Sequence, residues 1–480
     1  MMKRFAWIAI CLLAVLVAGS AGAAPIVERD DWSGTYFNGQ KLGFNRAVVE
    51  VEDDEIRVHT QMFLRLEAGG IEQITSVSQD TRLTPDLKLK TFSLLQEIMG
   101  SRQRIEARVE GGKLLYNITT QGYSKDKELD LPENAVPAST AWLNLIHAGL
   151  EVGKKGTMIL LIEPFQMTAP LKYEVLRKDT IDHRGKPVEA FVIKQEYSGI
   201  KTFTWATADG TVLRERTVQG FESIKEPASV ARELPPEAMS VSNFITLSLV
   251  KANKPIAKPR TVKVLKLTLH NLTAPDSIPS DHRQKVLNAE KMKGGDYQAT
   301  LLIEQESPVP ARQVTFPFND EAIRPYLEDT SQIQSQHPMI RALARELKGK
   351  STDPWQVALA INKWVYSNLE KVLVDAFTAV DALNSRRGEC QSHTNLYTAL
   401  ARAAGIPTRV INGIVYSEDF QGFVYHAWPE VFVGEWRALD PTLGQEGVDA
   451  THIKLSEGNN DGSLKLMEFV GRLDIDILEN

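Results

Sequence analysis

The chain has 480 residues, 43% of them apolar and 24% charged, so it is long enough for several packed domains and is neither a disordered nor a fibrous sequence. Its formal net charge is −6 and it carries no basic stripe, which excludes an electrostatic nucleic-acid binder.

Lys3 and Arg4 precede an apolar run from Phe5 to Ala18, and small residues end at Ala21-Gly22-Ala23. This is the pattern of a secretory signal peptide over residues 1–23, cleaved near Ala23 or Ala24. A run of about 14 apolar residues is shorter than the ~20 that span a bilayer, so an uncleaved anchor is disfavoured. The mature chain is therefore expected to be periplasmic or extracellular, with no stable membrane insertion once the signal is cut. Cys11 leaves with that segment, and Ile10 before it does not suit a lipidated cysteine. Cys390 is then the single cysteine of the mature protein. In an oxidising compartment this excludes an intramolecular disulfide and leaves a free thiol to be explained.

Residues 24–250 read as an antiparallel β domain with one helix. Asn38-Gly39 and Asp209-Gly210 punctuate hairpins, and Val48–Val51, Ile56–Val58, Ile105–Val109 and Ala190–Ile193 alternate as half-buried strands do. Trp142, Leu145, Ile146 and Leu150 recur at helical spacing, which predicts a helix over Pro137–Leu150 inside a curved sheet. Prolines in Lys225–Glu237 and Lys254–Arg260 mark boundaries. A second, small β domain is expected over 255–325, with strands at Thr261–His270, Ala299–Glu304 and Val314–Phe318.

The pattern changes over 326–475. Thr352-Asp353-Pro354 opens a helix with a capping side chain and a proline at its first position, and Val357, Ile361, Trp364, Val365 and Leu369 form its stripe. A short helix over Thr378–Leu383 leads to Gly388. Glu389–Ala404 is the next helix, stopped by Gly405 and Pro407. Strands follow at Thr408–Tyr416, Val424–Val433 and Trp436–Leu439.

Cys390 falls in the first turn of a helix, where backbone N–H groups and the dipole favour a thiolate, with Arg386 and Arg387 close in sequence. The competing reading is a small buried hydrophobe, the commonest fate of a lone cysteine. A thiol nucleophile needs a base, and His426 lies on a downstream strand with Asp440 on the next one. The two share a face only if the intervening loop is odd. A three-residue loop over Val433–Glu435 sets Asp440 opposite Trp428 and diagonal to His426, whereas a two-residue loop would turn them apart. Pro429 within the strand predicts an edge or bulged position.

Arg387-Gly388-Glu389-Cys390, the helix end Arg402-Ala403-Ala404-Gly405-Ile406-Pro407, then His426-Ala427-Trp428 and Asp440-Pro441-Thr442 together resemble the transglutaminase-like superfamily, with its papain-like Cys-His-Asp fold, in a bacterial exported form. The resemblance covers residues 331–450. It implies Cys390 as nucleophile, His426 as general base and then acid, and Asp440 as the residue that orients His426. The β region also resembles bacterial envelope domains of the lipoprotein-carrier type, which carries no chemistry. The expected whole is a multidomain protein, N-terminal antiparallel β domains followed by an α+β transglutaminase-like domain. It would act on peptide or protein amide bonds of the cell envelope through a Cys390 thioester, with hydrolysis ahead of acyl transfer and no cofactor. Two alternatives stand beside this reading. One is a zinc site of Cys390, His393, His426 and Asp440; the other is an envelope binding module that keeps the thiol fold without turnover. The β domains are expected to recruit or orient a substrate.

Overall fold

The computed structural model describes residues 28–52, 54–68, 71–98, 101–120, 123–197, 199–240, 249–310, 314–372, 376, 378–458, 462 and 465–479. Residues 1–23, where a signal peptide was expected, lie outside the described residues, and Cys11 with them. Two compact units divide the chain, Ala6–Ser240 and Val241–Asn480. Among the described residues no helix is long and apolar enough to cross a membrane.

In the first unit, strands from Arg29–Phe37 to Tyr123–Asp130 each pair with the next, and strands from Lys155–Ile162 to Phe221–Lys225 do the same. The two runs join where Arg29–Phe37 pairs antiparallel with Phe221–Lys225. The helix lies between them in sequence and is shorter than its periodicity suggests: a 3₁₀ turn over Ala138–Thr140, then an α-helix over Ala141–His147. Trp142, Leu143, Leu145 and Ile146 share one core with Val58, Leu83 and Leu114 from the first run and Leu161, Val175 and Ile193 from the second. Residues from distant strands can meet on one helix only if the sheet curls around it. The Asn38-Gly39 turn has positive φ at both residues, 46° and 82°, as a tight hairpin matched to strand twist requires.

Polar groups also line the interior. Glu215 is buried, and the Thr204 hydroxyl donates to it at 3.0 Å. Burial, only partly offset by that hydrogen bond, pushes its pKa up to about 8. An acid with a raised folded pKa contributes stability below its unfolded value of about 4.3 and loses it as the pH rises through the folded value, at about 1.4 kcal/mol per unit of difference. Glu215→Gln is expected to be near neutral at pH 5 and stabilising at pH 9. Urea unfolding at the two pH values measures the difference.

The second unit corrects the domain boundaries. Val250 bridges Phe423, and Ala252 bridges Ile475, so the stretch from 249 belongs with the C-terminal region and not with 24–250. The segment 255–325 is not a separate domain. Its strands, Val264–Leu272, Gln284–Lys291 and Tyr297–Glu304, form a sheet that is completed by Asp474–Glu479 from the far end of the chain. The closing strand alternates buried Ile475 and Ile477 with exposed Asp474 and Asp476. Val314–Phe318 is irregular rather than a strand; Pro317 has no N–H to give a ladder, and Val314 and Phe316 instead pack on the helical core.

Helices follow. Pro338–Lys348 was not anticipated, although Pro338 at its first position and the buried pair Ile340 and Ala344 mark it. Pro354–Asn368 starts where expected, with the Asp353 carboxylate accepting from the Trp355 and Gln356 N–H groups at 2.8 and 3.3 Å. Ala379–Ser385 opens with a reciprocal Thr378–Asp381 capping box. Cys390–Ala404 ends at Gly405 in the left-handed region, φ 91°. This last helix is buried on almost every side, because its neighbours are the other helices and a sheet ordered Trp436–Ala438, Gly422–Phe432, Thr408–Ser417, Ile453–Glu457.

Candidate active site

Cys390 is the first residue of its helix, entered through Glu389 in an extended conformation, and is 7% exposed. Gly388 makes the entry possible, since a Cβ there would overlap the Ser392 side chain, whose Oγ already accepts from the Ala376 N–H at 2.8 Å. The short parallel pair Glu370–Lys371 with Arg387–Gly388 holds the approach to the helix. Arg386 and Arg387 are both exposed; Arg386 lies over the Trp364 ring at 4.6 Å and Arg387 pairs with Glu370 at 2.9 Å. The group that engages the thiol is His426, which is hydrogen-bonded to Cys390.

The loop after Phe432 decides how His426 meets Asp440. Phe432 pairs with Trp436 and Glu430 with Ala438, which leaves the three-residue loop that the face argument required. Leu439 N–H donates to the Pro429 carbonyl at 3.2 Å, continuing the register that sets Asp440 diagonal to His426. Pro429 is not on an edge strand, because its strand is flanked on both sides. It is tolerated because it sits at the end of the ladder to Trp436–Ala438, where its carbonyl accepts from the Leu439 N–H.

His426 Nε2 donates to Asp440 Oδ2 at 2.7 Å, so Nδ1 is the ring nitrogen left for the thiol. Asp440 Oδ1 accepts from the Thr442 and Leu443 N–H groups at 2.7 and 2.9 Å. Burial alone would lower the His426 pKa, but the Asp440 carboxylate and Cys390 outweigh it and the net shift is upward. Burial likewise opposes the charge on Asp440, yet the two histidines beside it hold its pKa well below the ordinary carboxylate range. Trp428 is fully buried, its ring 6.1 Å from that of His426, so it is core beside the site rather than a lid.

The second of those histidines is one that sequence reasoning missed. His452, fully buried, donates from Nε2 to the same Asp440 Oδ2 at 3.1 Å and faces Asp449 Oδ1 with Nδ1 at 3.4 Å. The Asp449-Ala450-Thr451-His452 spacing was the available signal, an acid and an imidazole three apart, but it belongs to no quoted motif. Among the described residues, His426, Asp440 and His452 bring possible ligand atoms within 4.8 Å of one another. That cluster contains neither Cys390 nor His393, which the four-ligand zinc alternative needs. His393 Nδ1 donates to the Glu389 carbonyl at 2.9 Å. Both imidazole Nε2 atoms of the cluster are committed to Asp440.

Gly413 pairs with His426 across the central ladder. A Cβ there would overlap the Ile453 carbonyl and come within 2.7 Å of Trp428 Cη2. Gly413→Ala is therefore expected to cost about 1–3 kcal/mol, the usual penalty of overpacking, read as a lowered thermal midpoint of the C-terminal unit.

Cys390 at a helix start, the His426 imidazole and the Asp440 carboxylate thus stand in the order and contact that the resemblance implied. Residues 341–441 match the Transglutaminase-like superfamily, and this stretch is a transglutaminase-like domain within a mixed α+β region that follows a large antiparallel β region. An uncharacterized protein of Mycobacterium leprae (strain TN) is 24% identical over 143 residues, which cover 27% of this chain and 50% of the relative; the chain thus spans about half the length of that curated protein. Among solved structures, a proposed cysteine protease from Cytophaga hutchinsonii is 19% identical, with TM-score 0.32, over 46% of this chain and 83% of that one. A β-barrel-like protein from Brucella abortus is 10% identical, with TM-score 0.33, over 42% of this chain and 97% of that one.

Proposed function

We propose that this protein is an exported thiol hydrolase of peptide or protein amide bonds. The observation that carries the reading is the chain of contacts from Cys390 to His426 to Asp440, with the thiol at a helix N-terminus. Cys390 gives its proton to His426 and attacks the amide carbonyl; the C–N bond breaks, the amine leaves with the proton from His426, and a thioester remains. His426 then takes a proton from water, the hydroxide attacks the thioester, and the carboxylic product leaves as the thiol re-forms. The Cys390 backbone N–H, at the helix start, is the donor placed for the oxyanion. Hydrolysis is preferred to transfer because no group of the site is assigned to holding an acceptor amine. Export is supported by the Phe5–Ala18 run and the small residues after it.

Wild type and Cys390→Ala, each incubated with an envelope extract, are expected to differ by mass spectrometry in released peptides, with few new amide crosslinks. Identical profiles would remove the enzyme reading, and crosslinks in place of peptides would convert it to acyl transfer. Iodoacetamide should abolish the difference and a chelator should leave it intact; the reverse pattern would favour a metal site.

A further inference from the structure

We propose that His452, braced by Arg283 and Arg260, is a positioning residue of the thiol site, acting on Cys390 only through Asp440 and His426. The inference rests on the thiol chemistry proposed above. A carboxylate offers about four lone-pair sites, and here four donors occupy them. The Thr442 and Leu443 N–H groups take Oδ1, and His426 and His452 take Oδ2. The second imidazole leaves one direction of Oδ2 for His426. With three further donors on it, the carboxylate is also a weaker base toward the Nε2 proton of His426 once Nδ1 has taken the proton of the thiol. The carboxylate is thereby kept as an anion facing the imidazolium through the step in which charge separates.

The placement of His452 is built rather than incidental. Its loop is gripped by two guanidinium groups from the β segment that precedes the helices. Arg283, itself buried, donates to the His452 carbonyl at 3.0 and 2.7 Å and to the Asp449 carbonyl at 3.2 Å. Arg260 pairs with Asp449 Oδ2 at 3.0 Å and donates to Thr451 Oγ1 at 3.1 Å. Asp449 is held further by Gln445 Nε2 at 2.9 Å, and Gln445 exchanges backbone hydrogen bonds with Asp440. The charged and titratable groups facing His452 are thus Asp440, Asp449 and His426, with Arg283 on its carbonyl and the Trp428 ring edge-on at 5.2 Å. A buried guanidinium spent on two carbonyls of one turn is costly unless that turn must be held still. The residue the turn presents to the site is His452.

The test is the pH dependence of iodoacetamide alkylation at Cys390, followed by mass spectrometry on the full chain, which needs no substrate. Wild type should show a midpoint well below the ~8.5 of a free thiol. His452→Leu should shift that midpoint upward and slow alkylation at pH 7 by about tenfold, the scale on which an orienting partner of an imidazole site acts. His452→Gln, which keeps a donor near the Nε2 position, should restore most of the rate. Arg283→Met should move the profile in the same direction as His452→Leu. A wild-type midpoint near that of a free thiol would sink the thiol reading itself. A low wild-type midpoint that stays put in His452→Leu would overturn the role of His452 alone. Equal loss in His452→Leu and His452→Gln would also overturn it, provided both variants keep the wild-type thermal midpoint. If His452→Leu does not fold, an unshifted profile in Arg283→Met decides against the proposal.

Discussion

Asp440→Asn is expected to lower the rate of peptide release by roughly 10³- to 10⁴-fold while the folded site persists. The carboxylate accepts from His426, His452 and two backbone N–H groups, and an amide can reproduce only part of that. Its NH₂ group either faces the histidines, forcing His426 into the tautomer that cannot take the Cys390 proton, or displaces the Thr442 and Leu443 contacts. Asp440→Ala removes the anion altogether and leaves two buried imidazoles without their shared acceptor. The cost in stability should then be about 3–5 kcal/mol, as for a broken buried ion pair. The pH dependence of stability follows from the same groups. Asp440 and Asp449 have folded pKa values held below the usual range, so their contribution is present above about 4 and is lost as the pH falls through the depressed values. His426 and His452 are shifted upward, so theirs is present below about 6.5 and is lost as the pH rises through the raised values. The C-terminal unit should be most stable between those limits. In Asp440→Asn both the acid and the alkaline slopes should flatten, which thermal unfolding across pH 3–9 measures.

A chain that begins near Asp320 is expected not to fold cooperatively, whereas one that begins at Val241 should keep the Cys390 alkylation profile of the full protein. The shorter cut removes Val264–Leu272, Gln284–Lys291 and Tyr297–Glu304, and leaves Asp474–Glu479 without its sheet. Leu265, Leu267, Leu269, Leu272, Leu301 and Ile303 are all buried there. At about 1.5–3 kcal/mol per buried apolar side chain, that burial rivals the whole stability of a domain, about 5–15 kcal/mol. The cut also removes Arg260 and Arg283, which hold the Asp449–His452 turn, and Glu306, which pairs with Arg437 at 3.1 Å and accepts from the Ala438 N–H at 3.2 Å. Loss of activity in such a fragment would therefore say nothing about substrate recruitment by the first unit. The cut at Val241 asks that question, and circular dichroism with the alkylation profile reads both fragments. A cooperative melt for the Asp320 fragment would contradict the arrangement described here.

Which parts of this were legible beforehand follows the range of the interactions. The Asp353 cap, the Gly405 stop and the Asn38-Gly39 turn are signals confined to a few residues, and they place their elements to within a residue or two. The three-residue loop between His426 and Asp440 was legible for a related reason: strand alternation has period two, so the parity of the loop decides whether the two side chains share a face. Expectations failed where a partner comes from far along the chain. Val314–Phe318 has the composition of a strand, but packing on the helical core and the lack of an N–H at Pro317 decide otherwise. The proposed boundary of a small β domain failed because its sheet takes its last strand from residues 474–479, some two hundred residues away from the strand they join.

The sequence by itself determined the order Cys390, His426, Asp440, the helix start under the thiol and the parity of the loop, because each depends on backbone periodicity and neighbours close in the chain. Only the tertiary structure decided that Asp440 serves two imidazoles. His452 meets Asp440 through a turn pinned by Arg260 and Arg283, from more than 160 residues upstream. Such a contact leaves no periodic trace, since it depends on where folding brings buried charges that must each find a partner.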